Sequence, residues 1–222
     1  VKAEQVTGAR IEQSLYHVGS HEKIKLLFGL LEKEEPERSI VFVNTRRTAD
    51  EVYGYLAANG HKAAVLSGDI PQRKREQLLE DFKEGKLSIM VATDVAARGL
   101  HISDVTHVFN YDLPQDVEDY VHRIGRTARA GAEGTAITFA CEEYVYSLMD
   151  IEDYIKEEIP VAVLEEALLV EPENRPTRNH RARRPQQRRN SQQNRNHSQN
   201  SRNRRSNNRR RRPAQNRAAE GE

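Results

Sequence analysis

The chain has 222 residues, a formal net charge of +1 and a single cysteine, Cys141, so an internal disulfide is excluded. No apolar run approaches the ~18 residues that a membrane-spanning helix needs, and the first residues lack the basic-then-apolar pattern of a secretory signal. Composition therefore argues against a disulfide-stapled or membrane-bound protein, and we expect a cytoplasmic one.

The small net charge conceals two parts of opposite sign. Between Arg175 and Arg217 the chain carries 16 arginines and no acid, and only Glu220 and Glu222 follow. The segment from Asn174 onward is therefore +14, which leaves −13 for residues 1–173. Such asymmetry indicates an acidic folded body with a basic arm for nucleic acid or another polyanion.

Strands and helices are predicted to alternate along the first 160 residues. Short apolar runs predict strands at 11–18, 39–43, 63–66, 88–92, 106–109 and 135–139. Amphipathic stretches predict helices at 20–36, 46–60, 71–82, 114–124 and 142–157, the first of them capped by Ser20. This alternation is typical of an α/β fold in which helices cover both faces of a parallel sheet.

Composition and patterning divide the chain into a linker (1–10), one folded domain (11–160), a short extension (161–173) and a basic tail (174–222). The extension is apolar enough for a short helix, and packing on the domain is favoured over docking of a partner. The tail has almost no apolar content, so we expect it to be disordered. Its arginines favour tethering of RNA over a merely solubilising role.

Cations stand in the first turn of two predicted helices. Arg46 and Arg47 follow the second predicted strand, and Arg73 and Lys74 follow the third, just after Gly68. The helix dipole disfavours cations there by about 0.3–1 kcal/mol per charge, yet the free N–H groups suit an external anion. A glycine lets a backbone approach such an anion closely. We favour a phosphate site over side chains that only extend into solvent.

A hydroxyl, an acid and an arginine follow the next predicted strand. Thr93 could donate to a phosphate, whereas Asp94 and Arg98 could pair with each other as a structural bridge. Ligands of parallel sheets bind outside the carboxyl ends of the strands, which is where these residues are predicted to lie.

Three arginines recur at every third residue near the end of the predicted helix 114–124. We call Arg123, Arg126 and Arg129 the arginine cluster; His122 lies beside it. The apolar face of this helix, made by residues 117, 120, 121 and 124, leaves Arg123 outside, so core burial does not account for the cluster. A phosphate site, whose oxygens suit guanidinium groups, is favoured over a basic helix end that only complements the dipole.

These motifs together resemble the C-terminal RecA-like domain of DEAD-box RNA helicases, over about residues 10–160. The matching stretches, in the order that the family has them, are 40–46 (IVFVNTR), 66–69 (LSGD) with Gln72 and Arg75, 91–100 (VATDVAARGL) and 120–127 (YVHRIGRT). Several motifs in the correct order make this a far more specific signal than any one of them alone.

The resemblance implies a role for each motif residue. Arg126 and Arg129 would be arginine fingers that reach the γ-phosphate of ATP. Coupling to the nucleotide and to the first domain would fall to His122, Arg123, Asp94, Arg98 and His101. The RNA sugar-phosphate backbone would be contacted by Thr45, Arg46, Gly68, Asp69, Arg75, Thr93 and Gly99.

Two positions depart from the family pattern. His101 stands where many members have Asp near the ribose of ATP, which puts that contact in doubt. Ala128 stands where Gly is frequent, which narrows the freedom of the backbone.

The chain contains half of the motifs that such an enzyme needs. No Gly-x-x-x-x-Gly-Lys-Ser/Thr loop occurs in it, and the Asp50-Glu51 pair does not belong to a DEAD motif. The resemblance therefore implies that ATP and Mg²⁺ are held mainly by an N-terminal RecA-like domain, and that this chain has no metal site and is inactive alone.

The resulting hypothesis is the second domain of an ATP-dependent RNA helicase that unwinds short RNA duplexes, supplying arginine fingers and half of the RNA clamp. Stretches 99–102, 109–114 and 140–144 resemble a bacterial branch of the family that works in RNA degradation and docks on ribonuclease E in an RNA degradosome. The alternative is a non-catalytic module that binds RNA or protein.

Overall fold

The computed structural model describes residues 11–99, 102, 105–128 and 133–176, all within the unit Val1–Arg178. It contains one sheet of six strands, β1 (Ile11–His17), β2 (Ser39–Phe42), β3 (Ala63–Leu66), β4 (Ile89–Ala92), β5 (His107–Asn110) and β6 (Gly134–Ala140). The strand order is β1-β6-β5-β2-β4-β3, and every neighbouring pair is parallel. The predicted α/β parallel sheet is confirmed.

Within the described ranges, six α-helices and one 3₁₀ helix accompany the sheet. They are α1 (Lys23–Glu34), α2 (Arg46–Ala58), α3 (Gln72–Lys83), α4 (Asp94–Ala97), α5 (Val117–Ile124), α6 (Tyr146–Ile155) and the 3₁₀ helix Glu166–Leu168. The single turn of α4 was not predicted. Helix α5 starts later than the predicted residue 114 because Asp116 caps it, accepting from the N–H of Glu118 at 3.0 Å.

The predicted cap of the first helix is wrong. Helix α1 begins at Lys23, not directly after Ser20. The Ser20 hydroxyl instead donates to Glu142 at 2.6 Å, and the Ser20 N–H donates to the same carboxylate at 3.1 Å. Ser20 therefore binds a carboxylate 122 residues away instead of capping α1. This contact joins the segment after β1 to the segment after β6.

Both faces of the sheet are buried. Val41, Val91 and Phe109 point to one face and form a single cluster with Leu27 of α1 and Val52 of α2. On the other face Phe82 of α3 joins the cluster that contains Ile40 and Met90, and Tyr120 of α5 packs in the cluster with Ile151 of α6. Strands buried on both faces explain why they appear in the sequence as continuous apolar runs.

Residues 159–176 cross the domain as an extended segment that we call the C-terminal strap. Leu15 of β1 donates to Pro160 and accepts from Ala162, both at 2.8 Å, so the strap continues the sheet edge. Further along, Leu168 is buried against Gly29 of α1. The predicted packing of the extension on the domain is confirmed.

The strap ends on α2. Asn59, at the carboxyl end of that helix, donates through Nδ2 to the carbonyl of Asn174 and accepts through Oδ1 from its N–H, both at 2.8 Å.

Among the described residues, no helix is long and apolar enough to cross a membrane.

Candidate functional site

All six strands end on the same side of the sheet, which we call the carboxyl rim. The central strands β5, β2 and β4 lead there into Tyr111, Asn44 and Thr93 respectively, and the edge strand β3 leads into Ser67. Because neighbouring strands are parallel, residues far apart in sequence meet at this rim. Every predicted site residue that the structure describes follows one of these strands or belongs to α5 and its end.

Arg123 is the buried centre of the rim. Its Nε and Nη2 atoms donate to the two carboxylate oxygens of Asp94, each at 2.7 Å. Its Nη1 atom donates to the carbonyl of Asp112 at 2.6 Å, and Nη2 also donates to Oδ1 of Asn44 at 2.9 Å. The guanidinium lies 5.2 Å from the ring centre of Phe42, and the residue is 1% exposed. Arg123 thus joins the ends of β2, β4 and β5.

These contacts contradict two predictions made from the sequence, the first about the burial of Arg123 and the second about the partner of Asp94. Arg123 is buried, although the helical pattern of α5 placed it outside the apolar face. Its guanidinium binds Asp94, Asn44 and the carbonyl of Asp112 within this domain. The suggested bridge between Asp94 and Arg98 is wrong, because Asp94 binds Arg123 whereas Arg98 binds Asp119 at 2.5 Å. The crossing of α5 over the strand ends decides these pairs, and no local pattern encodes it.

A second buried ion pair adjoins Arg123, and sequence reasoning missed it. Lys23 of α1 pairs with Oδ1 of Asp112, and both residues are at most 3% exposed. The Lys23 ammonium also lies 4.4 Å from the ring centre of Tyr111. Burial raises the pKa of Tyr111 far above its ordinary value, so this tyrosine stays neutral. A lysine amid the apolar residues of α1 was the available signal.

Arg126 and His122 occupy a shallow depression at the end of α5. Arg126 Nε donates to the carbonyl of His122 at 3.2 Å. The Nδ1 atom of His122 lies 3.8 Å from Asp119, too far for a hydrogen bond. Asp119 raises the pKa of Arg98 on the same wall. The depression is lined by Phe42, Asp94, Ala97, Arg98, Asp119, His122, Arg123 and Arg126. Arg129 and His101 lie outside the described residues.

The turn after α5 is hydrogen-bonded to the segment that precedes β5. The Thr127 hydroxyl donates to the carbonyl of Val105 at 2.6 Å and lies 3.0 Å from that of Thr106. Ala128, the residue that replaces a frequent glycine, has φ +53°. This left-handed conformation costs an L-residue about 1 kcal/mol relative to glycine. The glycine that is frequent here in the family would adopt this φ without cost, whereas Ala128 adopts it with a small conformational strain.

The residues predicted to contact RNA follow β2, β3 and β4, which are adjacent in the sheet. The Thr45 hydroxyl caps α2 by accepting from the N–H of Thr48 at 3.0 Å. Arg46 forms an exposed ion pair with Asp69, so two of the predicted RNA contacts are brought together. Arg75 donates to the carbonyl of Ser67 at 3.4 Å.

Backbone geometry distinguishes the two glycines of this group. Gly99 has φ +76°, so its conformation alone favours glycine. A Cβ added to Gly68 would meet no described atom within 4 Å, and its φ is not in the left-handed region. Neither a close contact nor a left-handed φ among the described residues requires glycine at position 68. Thr93 precedes α4 without capping it through its side chain.

Similarity to known proteins covers most of the chain. The family described as "Helicase conserved C-terminal domain" matches residues 22–131. The ATP-dependent RNA helicase RhlB of Haemophilus influenzae is 57% identical over 187 residues, which cover 84% of this chain and 45% of that protein. The chain therefore spans less than half the length of this relative.

Two solved structures extend the comparison. The E. coli DEAD-box protein SrmB, bound to regulator of ribonuclease activity A, is 40% identical with a TM-score of 0.67, and the match covers 75% of this chain and 97% of that one. S. cerevisiae Dbp5 bound to RNA and ADP BeF3 is 35% identical with a TM-score of 0.64, covering 69% of this chain and 42% of that one.

Proposed function

The chain belongs to the DEAD-box RNA helicases, as a C-terminal RecA-like domain of the RhlB type, and we propose that it forms the second wall of a cleft that binds ATP and RNA. The observation that carries this proposal is the division of the carboxyl rim. The predicted RNA contacts follow β2, β4 and β3, whereas Arg126 and His122 lie at the end of α5, beside Arg123 and Asp94. One rim would thus carry two separate anion-binding regions.

On the nucleotide side, Arg126 is proposed as an arginine finger, together with Arg129 beyond the described residues. Three arginines and His122 line the depression, where Asp94 pairs with Arg123 and Asp119 with Arg98. The planar guanidinium of Arg126 suits the oxygens of a phosphate. Bound ATP with Mg²⁺ would supply the cleavable phosphoanhydride, held mainly by the N-terminal domain. Arg126 would stabilise the charge that develops on the transferred phosphoryl group. His122 and Arg98 would orient this wall towards the N-terminal domain.

On the RNA side, Thr45, Arg46, Gly68, Asp69, Arg75, Thr93 and Gly99 would hold the sugar-phosphate backbone. Contacts of this kind position a strand without reading its sequence, which suits a helicase that acts on short duplexes of any sequence. The exposed Arg46–Asp69 pair would open to admit a phosphate to Arg46. The arginine-rich tail would add affinity that falls as salt rises.

The wider setting is proposed by likeness to the RhlB relatives. We infer a cytoplasmic helicase of RNA degradation in which this domain docks on ribonuclease E within an RNA degradosome. A direct test is a binding assay between the whole chain and ribonuclease E, with a peptide of residues 174–222 alone as the control for charge attraction by the basic tail. Equal binding of the chain and the peptide, or no binding of the chain, would contradict docking by this domain.

The test of the nucleotide assignment is Arg126→Ala in the two-domain helicase that carries this chain. We expect RNA-stimulated ATP turnover to fall by about 10²–10³-fold while ATP affinity changes little, because a finger acts mainly in the transition state. Arg38→Ala is a matched control, since Arg38 is also partly buried and donates to a backbone carbonyl, that of Lys83 at 3.1 Å. Equal turnover in the two variants would sink the finger assignment. Absence of RNA-stimulated turnover in the unaltered helicase would favour the non-catalytic RNA-binding module.

A further inference from the structure

We propose that Asn44 is a positioning residue that holds the predicted RNA contacts after β2 and the end of α5, with Arg123 and Arg126, in one geometry. This inference rests on the proposed function, since it assigns a role between the two halves of the same cleft. Asn44 is the second residue after β2 and directly precedes Thr45 and Arg46. Asn44 is therefore adjacent in sequence to two predicted RNA contacts, and its side chain is hydrogen-bonded to Arg123.

Every polar group of the Asn44 side chain is engaged. Its Oδ1 atom accepts from Arg123 Nη2 at 2.9 Å, and its Nδ2 atom donates to the carbonyl of Leu113 at 2.8 Å. The Asn44 N–H donates to Oδ2 of Asp112, also at 2.8 Å. The amide carries its acceptor and its donor on separate atoms, so it can accept from the guanidinium and donate to the carbonyl at the same time. Aspartate loses the donor, and leucine loses both groups.

The partners of Asn44 are themselves immobilised by opposite charges. Asp112 accepts from Asn44 with one carboxylate oxygen and pairs with buried Lys23 through the other. Arg123 is held by both oxygens of Asp94. Two neutralised ion pairs thus flank a neutral amide, so no unpaired charge is left among these five side chains. The Lys23–Asp112 pair is thus connected to the carboxyl rim by the hydrogen bonds that Asn44 and Arg123 donate to Asp112.

The consequence for the two halves of the cleft is geometric. Thr45 caps α2, so the bonds of Asn44 fix where that helix starts and where Arg46 is presented. Arg123 lies three residues before Arg126 at the end of α5, so the same bonds fix the helix that carries the proposed finger. A displacement of either side by about 1 Å would lower turnover by up to ~10²-fold.

A purely structural role for Asn44 is the competing explanation, and α2 provides the control. Asn59 stands at the other end of the helix and also uses both atoms of its amide: Nδ2 donates to the carbonyls of Tyr55 and Asn174, and Oδ1 accepts from the Asn174 N–H, each at 2.8 Å. Asn44→Ala and Asn59→Ala therefore remove comparable bonds from opposite ends of one helix.

The experiment measures RNA-stimulated ATP hydrolysis in the two-domain helicase that carries this chain. For Asn44→Ala we expect a kcat lowered by about 10- to 100-fold and a half-stimulating RNA concentration raised by about 10-fold. For Asn59→Ala we expect both quantities to stay within about 2-fold of the unaltered helicase, even where its midpoint of thermal unfolding falls as much as that of Asn44→Ala.

Each outcome decides the inference. The inference is supported if Asn44→Ala, and not Asn59→Ala, changes both kcat and the half-stimulating RNA concentration. It is overturned if the two variants behave equally, or if Asn44→Ala changes only one of these two quantities. If Asn44→Ala does not fold, Asn44→Asp replaces it, because a carboxylate keeps an acceptor for Arg123 but loses the donor to Leu113; Asn59→Asp is then the control. A helicase that shows no stimulation by RNA before any substitution refutes the proposed function instead.

Discussion

Arg123 binds both carboxylate oxygens of Asp94, with Nε and Nη2 each at 2.7 Å, although the two residues are 29 apart in the sequence. This bidentate pair neutralises one member of the arginine cluster inside the domain. Arg126, one turn further on, donates to the carbonyl of His122 and lines the depression at the rim. Neighbouring arginines of one motif therefore have different physical tasks, and stability and activity should respond to them separately.

Replacement of Arg123 should affect stability more than replacement of Arg126. Arg123→Ala leaves the partly buried Asp94 without its partner and removes two further bonds, so we expect a loss of about 3–5 kcal/mol in the free energy of unfolding. Arg126→Ala should cost less than about 1 kcal/mol. Urea denaturation of the 222-residue chain measures both. Losses of similar size would contradict this division of tasks.

Arg46 should contribute one phosphate contact to RNA binding. Arg46→Ala is expected to weaken binding of single-stranded RNA by the whole chain and to reduce the steepness of its salt dependence by about one unit in the log–log slope. Fluorescence anisotropy between about 50 and 200 mM salt gives the slope. Lys86→Ala removes an equally exposed cation just before β4, on the opposite side of the sheet. A slope that changes equally in both variants would argue against a site at the carboxyl rim.

Gly29 should be required by the strap and not by its own helix. An alanine in the middle of a helix usually stabilises it by about 0.5–1 kcal/mol relative to glycine. A Cβ at position 29, however, would lie 2.0 Å from the carbonyl oxygen of Leu168. We expect Gly29→Ala to destabilise the domain by about 1–3 kcal/mol through this overlap. Gly68→Ala, where the added Cβ meets open space, should leave thermal stability unchanged. A stabilised Gly29→Ala variant would show that the strap yields readily.

Stability should fall as pH drops from about 7.5 to 5.5. Burial lowers the pKa of His61, which packs edge-on against Phe28 at 5.3 Å, and of His107, which stacks on Phe109. Both are therefore protonated more readily in the unfolded chain, whose histidines titrate near pH ~6.5. Their contribution to stability is complete above that pH and is lost as pH falls towards the folded pKa values.

Thermal unfolding at the two pH values measures this effect. The double variant His61→Gln and His107→Gln should show a smaller fall in its unfolding midpoint than the unaltered chain. Carboxylates stay ionised across this range, so they contribute little to the difference. An unchanged pH dependence in the double variant would assign the effect to other groups.

The sequence alone established the α/β class, the order of the elements and the helicase family. Continuous apolar runs and the period-3.6 pattern are local, so strands such as Ile89–Ala92 and helices such as α2 could be predicted from neighbouring residues. The position of Arg46 and Arg126 near the carboxyl ends of strands followed from the same alternation, because parallel strands all end on one side.

Tertiary structure alone decided which polar groups neutralise one another. The partners Lys23 and Asp112 are 89 residues apart, and Asn44 and Arg123 are 79 apart. Sequence reasoning left Arg123 outside the core, gave Asn44 no role of its own and made Ser20 a helix cap. In all three cases the hydrogen-bonding partner is remote in the sequence. Strand order decides which remote groups come within about 3 Å of each other, and the order β1-β6-β5-β2-β4-β3 is not encoded in any local pattern.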